Sequence, residues 1–126
     1  MAGVNRSNMN SPTTSSSHDY HVEMLFDPAG SLPRAELLPY LENTVIPTLA
    51  ACERLQSAGR IVAGGPLLGA IGFSFVARVG SATELETMLA SLPLWSRART
   101  RVVPLGSFAS RHATARARLA VLKAAA

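Results

Sequence analysis

The chain has one cysteine, Cys52, among its 126 residues. A lone thiol excludes an internal disulfide framework and fits a reducing, cytoplasmic setting. Its ordinary role is that of a small buried hydrophobe. No apolar run is long enough to span a bilayer, which argues against a membrane partner. Residues 1–17 also lack the hydrophobic segment of a secretory signal. Aromatic residues are scarce at 6%, and they do not interleave with the basic residues as a base-stacking surface requires. Nucleic acid is therefore not an expected partner. Acidic residues vanish from the end of the chain: residues 87–126 hold seven basic and no acidic side chains, against five basic and eight acidic in residues 1–86. A −3 body thus carries a +7 ending, whose Arg111, Arg116, Arg118 and Lys123 lie in an Ala-rich helical stretch and read as a solvated helix face. Missing too are metal-ligand spacings, a phosphate-cradling glycine loop and a nucleophile motif, so neither metal nor cofactor is implied. Gly64-Gly65 before Pro66 reads as strand-end chemistry.

What is present is the pattern of one globular domain: 126 residues with 48% hydrophobic content, enough to bury a modest core. Residues 1–18, rich in Asn, Ser and Thr, read as a mobile tail that contributes nothing to stability. From Asp19, alternation predicts a strand with Tyr20, Val22, Met24 and Phe26 on one face and His21, Glu23 and Leu25 on the other. Asp27 to Gly30 supplies turn chemistry. Leu37, Leu38, Leu41, Val45, Leu49, Cys52 and Leu55 recur at helical steps from about Arg34 to Ala58, with Pro39 and Pro47 predicting a late start or a kink. Gly59 is placed to end that helix in a left-handed conformation. Strands follow over Arg60–Pro66 and Ile71–Val79, separated by a turn at Leu67–Ala70. Ser81 with Glu84 three residues on makes a capping box for a helix with a Leu85, Met88, Leu89, Leu92 stripe. Pro93 ends it, Leu94 and Trp95 anchor the exit, and a last strand spans Arg99–Leu105.

The order β-α-β-β-α-β specifies an α+β, ferredoxin-like fold over residues 19–108, a four-stranded antiparallel sheet with both helices on one face. Residues 109–126 add a basic C-terminal helix. Two helices leave the other sheet face bare, an apolar liability in a monomer. Pairing two such faces gives a dimeric α+β barrel with an inter-sheet cavity, so a homodimer is expected.

Three local motifs stand on this frame: His21-Val22-Glu23-Met24 in the first strand, Arg54-Leu55-Gln56-Ser57-Ala58-Gly59 at the end of the first helix, and Leu92-Pro93-Leu94-Trp95 after the second. In this order and spacing the chain resembles the muconolactone isomerase family over roughly residues 19–112. That resemblance implies a ferredoxin-like chain that dimerises and builds higher oligomers such as decamers. It also implies cofactor-free movement of a proton, and with it a C=C bond, within a small unsaturated lactone during aromatic catabolism. The family's charged cluster late in the first helix is matched here by the uncharged Ile46-Pro47-Thr48-Leu49, its His-Tyr pair by Ala70-Ile71, and its strand-one Lys by Glu23.

An allylic proton shift needs one group that takes a proton and returns it two carbons away, plus a donor for the developing oxyanion. His21 and Glu23 share one strand face, about 7 Å apart. Glu23 is the candidate base, since a carboxylate in an apolar cleft holds protons more readily, and His21 is the candidate orienting group. Ser74, with Phe73, Phe75 and Trp95, completes the expected substrate-binding set. Each has a plainer role: an interface histidine, a Glu23 ion pair with Arg99 or Arg101, a filler serine, a packing tryptophan. His18 and His112 are expected to be solvated. Two functions follow: an isomerase acting on a small unsaturated lactone or cyclic carbonyl compound, or a non-catalytic small-molecule-binding or assembly protein on the same scaffold.

Overall fold

A computed structural model describes residues 17–26 and 32–125. The expected tail up to residue 16 and the Asp27–Gly30 turn lie outside the described residues. Four strands, β1 (His18–Phe26), β2 (Ile61–Pro66), β3 (Gly72–Val79) and β4 (Ala98–Leu105), form one antiparallel sheet in the order β2-β3-β1-β4. Three helices, α1 (Arg34–Tyr40), α2 (Ile46–Ser57) and α3 (Ala82–Ala90), provide its two crossovers, and α4 (Phe108–Ala125) ends the chain. This is the ferredoxin-like arrangement, with β3 and β1 in the middle and β2 and β4 as the two edge strands. Element boundaries shift by a residue from the sequence pattern: β1 starts at His18, β2 at Ile61, β3 at Gly72, β4 at Ala98 and α4 at Phe108.

The alternation in β1 decides which side is core. Val22, Met24 and Phe26 are buried beneath the helices, while His21, Glu23 and Leu25 are half-buried on the opposite face. Phe73, Phe75, Ala77 and Val79 of β3 join the core, and Phe26 meets Phe73 edge-on at 5.2 Å between ring centroids. From α3 come Leu85, Met88 and Leu89, followed by Leu92 and Leu94, all buried.

The first crossover stays helical through two prolines. A π turn, Leu41–Val45, joins α1 to α2 without a break in helical backbone. Pro47 has no amide hydrogen to offer Asn43 and its ring crowds that carbonyl. Widening the turn just before it accommodates the ring, so of the late start or kink expected from the prolines the late start does not occur, and a π turn stands at the interruption. Gly59, at φ +77°, closes α2: its own N–H reaches the Gln56 carbonyl, and Arg60 N–H reaches that of Leu55. Ser81 accepts from Glu84 N–H at 3.1 Å, Glu84 accepts from Gly80 N–H at 2.9 Å, and Arg60 pairs with the same Glu84 carboxylate.

Leu92-Pro93-Leu94 is fixed from the first crossover. Thr48 is fully buried; its hydroxyl donates to the Thr44 carbonyl at 2.7 Å and accepts from Leu94 N–H at 3.1 Å. By contrast α4 buries none of its residues against its own chain. Among the described residues, no helix is long and apolar enough to cross a membrane.

Candidate functional site

The face of the sheet away from the helices carries the candidate chemistry. Strand pairing sets Glu23 between Ser74 on β3 and Arg101 on β4, His21 between Val76 and Val103, and Leu25 between Gly72 and Arg99. A side-chain period of two makes these residues neighbours on one surface. His21 and Ser74 sit on diagonal positions and meet directly, Nε2 to Oγ at 2.9 Å. With its ring proton on Nε2, His21 donates to Ser74 Oγ and frees the serine O–H to donate elsewhere.

Glu23 lies next along the same face, half-buried. Among the described residues no cation approaches it within ion-pair distance: the pairs formed are Arg60–Glu84 and Arg78–Asp19. The plainer role as an ion-pair partner of Arg99 or Arg101 is therefore not what the structure has. Both arginines are exposed on the same side of β4, Arg101 directly across from Glu23 and Arg99 one side-chain position further along. On the β2 side, Gly65 lies opposite Ser74, and a Cβ built there meets nothing within 4 Å. Space over the His21–Ser74 pair is thus open from that edge. At one end Arg78 grips Asp19 through two hydrogen bonds of 2.8 and 3.0 Å. Those bonds hold the Asp19 carboxyl below its usual range and push the Arg78 guanidinium up.

The expected substrate-binding set does not converge. Ser74 faces the open side, whereas Phe73 and Phe75, one residue before and after it, point to the helices because neighbouring strand residues alternate. They line a different space, a cavity of about 470 Å³ between α2 and the β2–β3 edge. Trp95 stands apart from both. It opens a 3₁₀ turn, Trp95–Arg97, on the helical side where Leu94 is held by Thr48, and is 37% exposed. His18 and His112 are exposed. Sequence reasoning weighed Arg99 and Arg101 only as partners for Glu23. Their Arg-Thr-Arg alternation puts both on one face of β4, and the pairing of Arg101 with Glu23 makes it the face of His21 and Glu23. Among the described residues there is no group of three His, Cys, Asp or Glu side chains able to hold a metal ion.

No curated protein matches the chain. Among solved structures, a point mutant of Rv3291c matches with a TM-score of 0.45 at 16% identity, over 86% of this chain and 62% of that one. This chain therefore spans less than two thirds of that protein's length. A family model, muconolactone delta-isomerase, matches residues 19–111. That span runs from the second residue of β1 to the first turn of α4 and contains the strand-one, first-helix and Leu92–Trp95 motifs. The chain belongs to the muconolactone delta-isomerase family.

Proposed function

We propose that this family member is a cofactor-free isomerase that shifts a proton within a small unsaturated lactone bearing a carboxylate. The observation that carries the reading is the His21–Ser74 hydrogen bond with an unpaired Glu23 beside it on one sheet face. Glu23 removes the allylic proton and returns it two carbons away, so the C=C bond moves with no net change in composition. Negative charge gathers meanwhile on the carbonyl oxygen, where the Ser74 hydroxyl donates and His21, holding Oγ, fixes the direction of that donation. Arg101 and Arg99 attract the substrate carboxylate. Phe73, Phe75 and Trp95 are not assigned to this site.

One copy offers this site as an open surface. We infer that it closes when two sheets meet face to face in a homodimer, excluding water and strengthening each electrostatic contact. The test is turnover of muconolactone by the purified full chain. Glu23→Gln keeps size and hydrogen bonding but removes the base, and should lower kcat by about two orders of magnitude or more. Ser74→Ala and His21→Ala should fall together and by less, since each acts through one donation. Full turnover by Glu23→Gln overturns the assignment.

One observation favours the second reading, a binding protein without catalysis. Where members of the family carry a charged cluster, this chain uses Thr48 as a buried strut between α2 and Leu94. Saturable binding of muconolactone without isomerisation by the native chain would select that reading.

A further inference from the structure

We propose that the cavity between α2 and the β2–β3 edge is a second ligand site, for a neutral compound of one or two rings carrying a hydroxyl donor. Its volume, about 470 Å³, falls within the range of small-molecule sites. It lies on the helical side of the sheet and shares no side chain with the His21, Ser74 and Glu23 group. The walls are apolar: Phe73 and Phe75 from β3, Ile61 and Pro66 from β2, and Leu49 from α2. Aromatic rings on one wall favour a flat, ring-containing ligand.

The β2 wall is bare for a physical reason. At Gly64 the backbone has φ +130°, and an added Cβ would stand 2.3 Å from the Ser74 carbonyl oxygen and 2.4 Å from Phe75 Cα. Only glycine fits there, so the cavity meets bare backbone at this position of β2.

Polarity enters from one helix face. Leu49, Cys52, Glu53 and Gln56 recur at three- and four-residue steps along α2, bringing a carboxylate and an amide to a mouth that is otherwise apolar. No Lys, Arg or His lines the cavity. A ligand hydroxyl therefore finds an acceptor in Glu53, whereas a ligand carboxylate finds repulsion and no counter-charge. This selectivity is opposite to that of the open face, where Arg101 and Arg99 stand on β4 next to the strand that carries the reacting groups. Burial pushes the Cys52 thiol up, so it is mostly protonated at neutral pH and its alkylation is slow enough to follow. As the single thiol of the chain it reports occupancy without taking part.

The test is alkylation of Cys52 by N-ethylmaleimide in the full chain, followed by mass, with 2-naphthol and 2-naphthoate as probes of equal size and opposite charge character. Saturating 2-naphthol should slow alkylation about tenfold or more, with 2-naphthoate at the same concentration about tenfold less effective. Equal protection by both probes, or protection by neither, overturns the proposal. Cys52→Phe, which fills the cavity, should abolish 2-naphthol binding measured by its fluorescence, and Glu23→Gln should leave it unchanged. If Cys52→Phe does not fold, protection in the native chain decides alone. Because the readout is occupancy of Cys52, it stands or falls separately from muconolactone turnover.

Discussion

At the scale of single residues, the side chain that most constrains the fold is a hydroxyl. Thr48 is buried, and Leu94 N–H has it as acceptor. Thr48→Val keeps the shape but leaves that amide unpaired, which should cost about 1–3 kcal/mol. Urea unfolding should show a lower midpoint with an unchanged slope, and Thr48→Ser should restore most of the loss. The neighbouring glycines of β2 separate two effects. Gly64→Ala combines a φ of +130° with a collision against β3 backbone and should destabilise by more than about 2 kcal/mol. Gly65→Ala meets open space and should stay within about 0.5 kcal/mol of the native chain. Thermal melts of the two variants check the contrast. Acid sensitivity has a definite sign at Asp19. Its carboxyl is held low by Arg78, so the pair's contribution is complete above the ordinary carboxylate value and is lost as pH falls through the lowered one. Asp19→Asn should therefore lower the melting temperature slightly near neutrality, match the native chain in strong acid, and so flatten the acid dependence below about pH 4.

At the scale of elements, local rules explain most boundaries. The Ser81–Glu84 cap, the Gly59 terminator and the stop before Pro93 each appear where their side-chain chemistry demands. The exception is the crossover with Pro39 and Pro47. A missing amide predicts interruption, yet packing of Tyr40, Val45, Ala51, Cys52 and Leu55 against the core favours one continuous rod, and a π turn reconciles the two. The opposite case is α4, eighteen residues long and exposed throughout, with Phe108 96% exposed. An isolated helix of that length is marginal in water even when Ala-rich. Removing residues 108–126 should lower helical circular dichroism yet leave the melting temperature of the chain within about 2 °C, since it buries nothing against its own body. A larger fall would show that α4 docks on another copy.

At the scale of the whole molecule, the decisive feature is a sheet with one covered and one uncovered face. Val76, Val103 and Leu25 are half-buried on the uncovered side beside His21 and Glu23. Two such faces meeting would shield them and close the proposed site. Light scattering should give a particle of at least twice the 13.3 kDa chain mass. Val76→Glu, which sets a charge in the centre of that face, should yield a monomer with unchanged circular dichroism and no turnover. A native monomer at micromolar concentration would remove the shared-cavity reading.

Sequence by itself determined the fold class, the element order and the two faces of β1 and β3, because periods of two and 3.6 are written in which residues are apolar. It also placed His21 and Glu23 on one side, since both belong to a single strand whose alternation is unambiguous. Only tertiary structure decided which residues from different elements meet. The His21–Ser74 bond depends on the register of β1 against β3, with 53 residues between the partners, and no local signal encodes that register. Packing of α2 over the β2–β3 edge is what sets Phe73 and Phe75 around a cavity behind the sheet. Thr48 stayed invisible for a related reason: a threonine in a helix is ordinary until a distant backbone amide, that of Leu94, is brought against it.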